Sequence, residues 1–276
     1  MRNLRLTLAY DGTNYVGWQV QPNGVSVQSV VESAITKLTG ETIRVLAAGR
    51  TDSGVHALGQ VVNFPTNSRI PAEQFRRGLQ NFLPDDVVVR EAAEVAPDFH
   101  ATYSAVRKRY RYVILNRQIN DPFLGRFVWS VRQRLDFERL QQASRHLIGT
   151  YDFRCFESHW PNKATSIRTV FDARWGRATT WSMWEPSAVS QSPSKAEDTG
   201  AFLWFEIEAD GFLYNMVRAI VGTLIKVGRS RWEPEQVRTI IENQDRSQAG
   251  ETAPACGLYL VNVEYPGEES INRDTD

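Results

Sequence analysis

The sequence predicts an α+β fold with mostly antiparallel strand pairing. Segments of strict apolar/polar alternation stand beside segments whose apolar residues recur with a period of about 3.6, and the two kinds do not alternate as repeated strand–helix units would. The chain has 276 residues, enough for one large domain or two of about 100–200 residues each. A chain of this size hides roughly 70–75% of its unfolded surface, so it can build a sizeable core.

The elements follow in order. Leu4, Leu6, Leu8 and Tyr10 alternate with Asn3, Arg5, Thr7 and Ala9, which is a strand, and Asp11-Gly12 turns the chain. From Ser26 a helical stripe of Val27, Val30, Val31, Ala34, Ile35 and Leu38 ends at Gly40. Residues 42–48 read as a short strand running into a loop at Gly49–Val55, and Gln60–Phe64 as another strand. Ile70-Pro71 opens a helix to about Phe82, since proline suits the first turn. Val87–Val95 and Ala105–Leu115 are expected strands.

Asp136 is an expected N-cap for a helix through Phe137, Leu140, Ala143 and Leu147 that closes at Gly149. Ile167–Trp175 and Phe202–Ala209 alternate as strands around a Ser/Pro-rich insertion at residues 186–200. Helices from about Phe212 to Val227 and from Pro234 to Asn243 come next, then a last strand at Gly257–Tyr265 and a loose polar tail, residues 267–276. The reading therefore divides the chain into an N-terminal α+β half, residues 1–104, and a C-terminal α+β half, residues 105–266.

No secretory signal or membrane-length apolar run is visible, and two cysteines, Cys155 and Cys256, suit a reducing compartment; a soluble cytoplasmic protein is expected. Phosphate-loop, HExxH, CxxC, GxSxG and GxGxxG motifs are absent. His56, His100, His146 and His159 have no ligand spacing, so no metal and no cofactor is expected.

Net charge is zero, but its distribution is uneven. Residues 101–150 carry ten basic against three acidic side chains, a net of +7, and residues 233–276 the reverse, a net of −7. Such asymmetry fits a neutral protein with a local anion-binding face, although an ordinary solvated face would show it too.

The segment Gly49-Arg50-Thr51-Asp52-Ser53-Gly54-Val55-His56-Ala57 stands out, two glycines bracketing a polar loop with Arg50 and Asp52 two positions apart. On these residues alone, a catalytic loop and a surface turn capped by Asp52 are both open.

This segment resembles the catalytic signature of tRNA pseudouridine synthases of the TruA type. Tyr10–Pro22, Val27–Ile35, Phe99–Ile114, Phe212–Gly228 and Gly257–Pro266 are similar to further blocks of that family in the same order, so the resemblance covers roughly residues 3–266. The departures are Ser53, where alanine is more usual, the insertion and the short acidic tail.

The resemblance implies the pseudouridine synthase fold, two similar halves around a central, mostly antiparallel sheet flanked by helices, with the catalytic cleft between them. It implies that uracil is detached from its ribose, turned and rejoined through carbon, at positions 38, 39 and 40 of the tRNA anticodon arm. It also implies a homodimer whose tRNA touches both subunits, with no membrane association and no small-molecule cofactor.

By motif, Asp52 matches the essential carboxylate, a group suited to stabilise or trap positive charge on the sugar. Attack on the sugar, addition to the base and proton abstraction from the sugar all remain open. Arg50 is expected to hold the RNA backbone or keep the base flipped out, and Tyr110 to stack on the target uracil and assist proton removal. Arg218 is expected to pair with the catalytic aspartate. Asp11, with Gly12, Gly17, Trp18 and Gln19, is expected to line the RNA path, and Leu258 to pack on the base. His56 is read as a structural hydrogen-bonding residue, and Tyr112 as core.

Two rival classes are weighed. A non-catalytic RNA-binding module would use the same basic cleft without needing Asp52. A glycoside-cleaving hydrolase would want two carboxylates flanking the bond, and the signature offers one.

Overall fold

The computed structural model describes residues 1–158, 165–179 and 201–267. The insertion at 186–200, His159 and the tail beyond Gly267 lie outside the described residues. The expected α+β class with mostly antiparallel pairing is found. The chain forms two compact units, Met1–Arg109 with Tyr259–Gly267, and Tyr110–Leu258. The units do not follow chain order throughout, because the last strand returns to the first unit.

In the first unit the strand order is β4-β1-β3-β10, from β1 (Arg2–Tyr10), β3 (His56–Thr66), β4 (Val87–Val95) and β10 (Leu258–Glu264), with the short β2 (Leu46–Ala47) on β3. β1 pairs antiparallel with β3 and β4, whereas β10 runs parallel to β3, Tyr259 opposite His56. Pairing sets Leu4 opposite Phe64 and Leu6 opposite Val62, so these fully buried side chains share one face. Phe75 of α2 (Ala72–Gln80) packs on that face, its ring 5.9 Å from Phe64. Gly78 of α2 lets Leu38 of α1 (Val27–Thr39) approach closely; a β-carbon at Gly78 would lie 2.8 Å from it. Ser26 caps α1 reciprocally with Ser29.

In the second unit the order is β5-β9-β8-β7, from β5 (Arg107–Leu115), β7 (Gly149–Asp152), β8 (Ile167–Ala178) and β9 (Phe202–Ala209), with β6 (Trp129–Ser130) parallel to β5. The helices are α3 (Phe137–Arg145), α4 (Met216–Gly228) and α5 (Gln236–Asn243). Asp136 caps α3 as expected, its carboxylate accepting from the Arg139 amide at 3.1 Å. α4 is buried on nearly all sides.

Several boundaries differ from the sequence reading. Residues 42–48 supply only the two-residue β2. α3 stops at Arg145, and Gly149, with φ 133°, opens β7 instead of closing the helix. α4 starts at Met216, not near Phe212, because Asn215 is left-handed (φ 60°, ψ 6°), a conformation no right-handed helix continues through. β8 extends three residues beyond the expected Trp175.

Candidate active site

The Gly49–Ala57 loop joins β2 to β3 and is held by the chain's first turn. The Trp18 amide donates to the Thr51 carbonyl at 3.0 Å, and the Tyr10 hydroxyl pairs with Thr51 Oγ1 at 2.8 Å. Gln60 donates to the Gly49 carbonyl at 2.8 Å, and the Ser53 hydroxyl to the Tyr15 carbonyl at 3.1 Å. Burial pushes the Tyr10 hydroxyl up to about 12, against the opposing effect of its bonds to Thr51 and Gln60, so it stays protonated. The loop's own turn is closed by the Val55 amide donating to the Asp52 carbonyl at 3.1 Å, with Gly54 at φ 76° in the position that needs a left-handed residue. Asp52 is half-buried and Arg50 exposed.

Two glycines permit this embrace. A β-carbon on Gly12 would lie 2.0 Å from the Val55 carbonyl oxygen, and one on Gly17 2.7 Å from that of Thr51. The residues expected to line an RNA path thus also form the cradle of the signature loop. That contact spans about forty positions, and no local pattern announces it.

His56 is buried and stacked on Tyr259, ring centroids 4.7 Å apart. Its Nδ1 lies 3.1 Å from the Gly12 amide and 3.2 Å from Asp11 Oδ1. One nitrogen cannot accept from the first and donate to the second together. The amide hydrogen is fixed, and it points at Nδ1. Asp11 Oδ1 also accepts from the Thr13 amide at 3.0 Å and from the Thr13 hydroxyl at 2.5 Å. His56 thus makes a hydrogen bond that ties the signature loop to the first turn.

Tyr110, Arg218 and Leu258 belong to the second unit. Tyr110 is 7% exposed, with the edge of Phe212 against its ring at 4.9 Å. Tyr112 is fully buried and donates to the Pro254 carbonyl at 2.7 Å, which makes it core. Arg218 is half-buried; its Nε donates to the Ala253 carbonyl at 2.7 Å and its guanidinium to Asn215 Oδ1 at 2.8 Å. Leu258, buried, opens β10 just after Gly257, where a β-carbon would lie 2.7 Å from the Tyr112 ring. Phe212, Asn215 and Ala253 were not singled out as site residues from the sequence; Asn215 lay inside the helix expected from about Phe212.

The basic stretch is less available than its charge suggests. Arg111 is buried and donates twice to Glu206, at 2.9 and 2.6 Å, with Arg174 on the other carboxylate oxygen at 2.8 Å. Burial raises the Glu206 pKa, but Arg111 and Arg174 outweigh it and hold the group below the usual carboxylate range. Arg139 pairs with Glu233, and Arg117 with Asp121. Arg107, Arg126, Arg132, Arg134 and Arg145 are exposed. Burial pushes the Cys155 thiol up to about 12 and the Cys256 thiol upward, so neither is poised as a nucleophile. Among the described residues, no group of three or more His, Cys, Asp or Glu side chains is placed to hold a metal ion, and no helix is long and apolar enough to cross a membrane.

Known proteins resemble this chain along nearly its whole sequence. A family model described as tRNA pseudouridine synthase matches residues 7–104 and 143–266. The chain is 46% identical to a tRNA pseudouridine synthase A of Thermoanaerobacter sp. (strain X514) over 265 residues, covering 96% of this chain and all of that one. It is 47% identical to that of Acetivibrio thermocellus over the same shares, and 41% identical to that of Exiguobacterium sp. over 96% of this chain and 98% of the relative. With matches along nearly its whole length, the chain belongs to the tRNA pseudouridine synthase family.

Proposed function

We propose that this enzyme converts uridine to pseudouridine at positions 38, 39 and 40 of the tRNA anticodon arm, with Asp52 as the essential carboxylate. The reaction exchanges the N1–C1′ bond for a C5–C1′ bond; a proton leaves C5 and one is taken up at N1, so the product is an isomer. Breaking the glycosidic bond builds positive charge on the sugar, which an ionised carboxylate stabilises or traps.

The observation that carries this reading is the construction around Asp52. The loop that carries it is fastened at Gly49 by Gln60, at Thr51 by Trp18 and Tyr10, and at the Asp52 carbonyl by Val55, and two glycines admit the backbone that fastens it. A carboxylate carried on so firmly fastened a loop is of little use to a protein that only binds a polyanion.

The remaining roles follow the family motif. Arg50 holds the RNA backbone or keeps the base flipped out, Tyr110 stacks on the uracil and assists proton removal, and Leu258 packs on the base. Arg218 supplies the positive partner for the catalytic aspartate, and Asp11 with its turn borders the RNA path. Flipping a base out of its stack costs a few kcal/mol, which phosphate contacts along the stem offset. The working form is a homodimer in the cytoplasm, and sedimentation at twice 31.4 kDa would establish the dimer.

The test uses tRNA tritiated at uracil C5. Wild type releases tritium to water and Asp52→Asn does not. Free uracil with an abasic product identifies a hydrolase instead, and wild-type binding without tritium release identifies a binding module.

A further inference from the structure

The start of α4 departs from ordinary helix capping. An N-cap asparagine usually has an extended backbone and a side-chain oxygen that accepts from the helix's first amides. Asn215 has neither: its backbone is left-handed, and its side chain makes no capping bond. The oxygen accepts from the Arg218 guanidinium at 2.8 Å instead.

Among the described residues, the other non-glycine residues with positive φ are Ser230 and Gln244. Both follow helix C-termini, where this conformation is ordinary. At the start of a helix it is not.

A second support holds the same guanidinium from the opposite chain direction. Arg218 Nε donates to the Ala253 carbonyl, and the Ala253 amide donates back to the Arg218 carbonyl at 3.1 Å. The segment carrying Ala253 is seated on α4 through backbone contact at Gly222, where a β-carbon would lie 1.7 Å from the Glu251 carbonyl oxygen. The Gly250 amide also donates to Thr223 Oγ1 at 2.8 Å. Two guanidinium nitrogens are thereby oriented by fixed oxygens, one from a side chain and one from the backbone.

We propose that Asn215 is a positioning residue for catalysis. Its left-handed backbone and side-chain oxygen fix the orientation of the Arg218 guanidinium before substrate arrives, in place of a helix cap. The inference rests on the reading of Arg218 as part of the catalytic machinery. It separates two properties of Asn215, the backbone and the oxygen, that substitutions can separate too.

Asn215→Gly keeps the left-handed backbone and removes the oxygen. Steady-state assays on tritiated tRNA should show kcat lower by about 10- to 100-fold, the loss of one hydrogen bond to a charged group, while KM and the melting temperature stay near wild type. Asn215→Asp keeps an oxygen in place and tolerates the same backbone, and should recover turnover to within about fivefold of wild type. Wild-type turnover in Asn215→Gly, or failure of Asn215→Asp to recover it, overturns the inference. Arg218→Ala separates the layers. If it is inactive while Asn215→Gly is normal, only this inference falls; if Arg218→Ala retains full turnover, the reading beneath it falls as well.

Discussion

Gly12 lies beneath Val55 so closely that a β-carbon would come within 2.0 Å of the Val55 carbonyl oxygen, while its own amide donates to His56 Nδ1 at 3.1 Å. The first turn of the chain and the end of the signature loop are thus one piece of structure. Gly12→Ala should force them apart, with a stability loss of about 1–3 kcal/mol and loss of turnover beyond what the unfolded fraction explains. Thermal unfolding together with the tritium assay checks this, and an unchanged pair of values would refute the cradle.

Tyr110 offers a cleaner separation of ring from hydroxyl. Tyr110→Phe keeps the ring and its edge contact with Phe212, so tRNA affinity should hold while turnover falls. Tyr110→Ala removes the stacking surface and should also weaken binding by about 1–3 kcal/mol. Filter binding beside single-turnover kinetics distinguishes the two. Equal turnover in Tyr110→Phe and wild type would remove the hydroxyl from the chemistry.

The Arg111–Glu206–Arg174 cluster should contribute stability that is lost in acid. Glu206 has a folded-state pKa below its ordinary value of 4.5. Its contribution is therefore complete above that ordinary value and lost as the pH falls through the depressed one. Glu206→Gln leaves the buried Arg111 without its counter-charge and should cost about 3–5 kcal/mol near neutrality. Urea denaturation at several pH values should show the gap between variant and wild type closing in acid. A gap that widens there would contradict the assignment.

Binding of tRNA should weaken steeply with salt, since phosphate contacts release counterions. Of the basic residues in 101–150, the exposed Arg132 and Arg134 are suited to such contacts and the buried Arg111 is not. Replacing either exposed arginine by alanine should lower the slope of log K against log salt by about one. A flat salt response in wild type would dispose of the electrostatic part of the function.

Much of the fold was legible because the signals were local. The alternation in β1, the stripe of α1 and the Asp136 cap depend on neighbours a few residues away, and they stand where the sequence puts them. What escaped depends on distant partners. The left-handed Asn215 cut short a helix whose apolar period runs on past it. Arg111 alternates like an exposed strand residue, yet Glu206, 95 positions later, draws it inside. At the candidate site, the motif supplied the residues expected to act, while the groups that hold them still, such as Gly12, Gly17, Phe212, Asn215 and Ala253, are defined only by three-dimensional contact.

The parallel pairing of β10 with β3 has a consequence for how the protein is made. His56, at the end of the signature loop, rests on Tyr259, which is synthesised long after it. A nascent chain halted before that point would hold the loop with one of its flanks bare. A chain that lacks β10 should therefore fail to modify RNA.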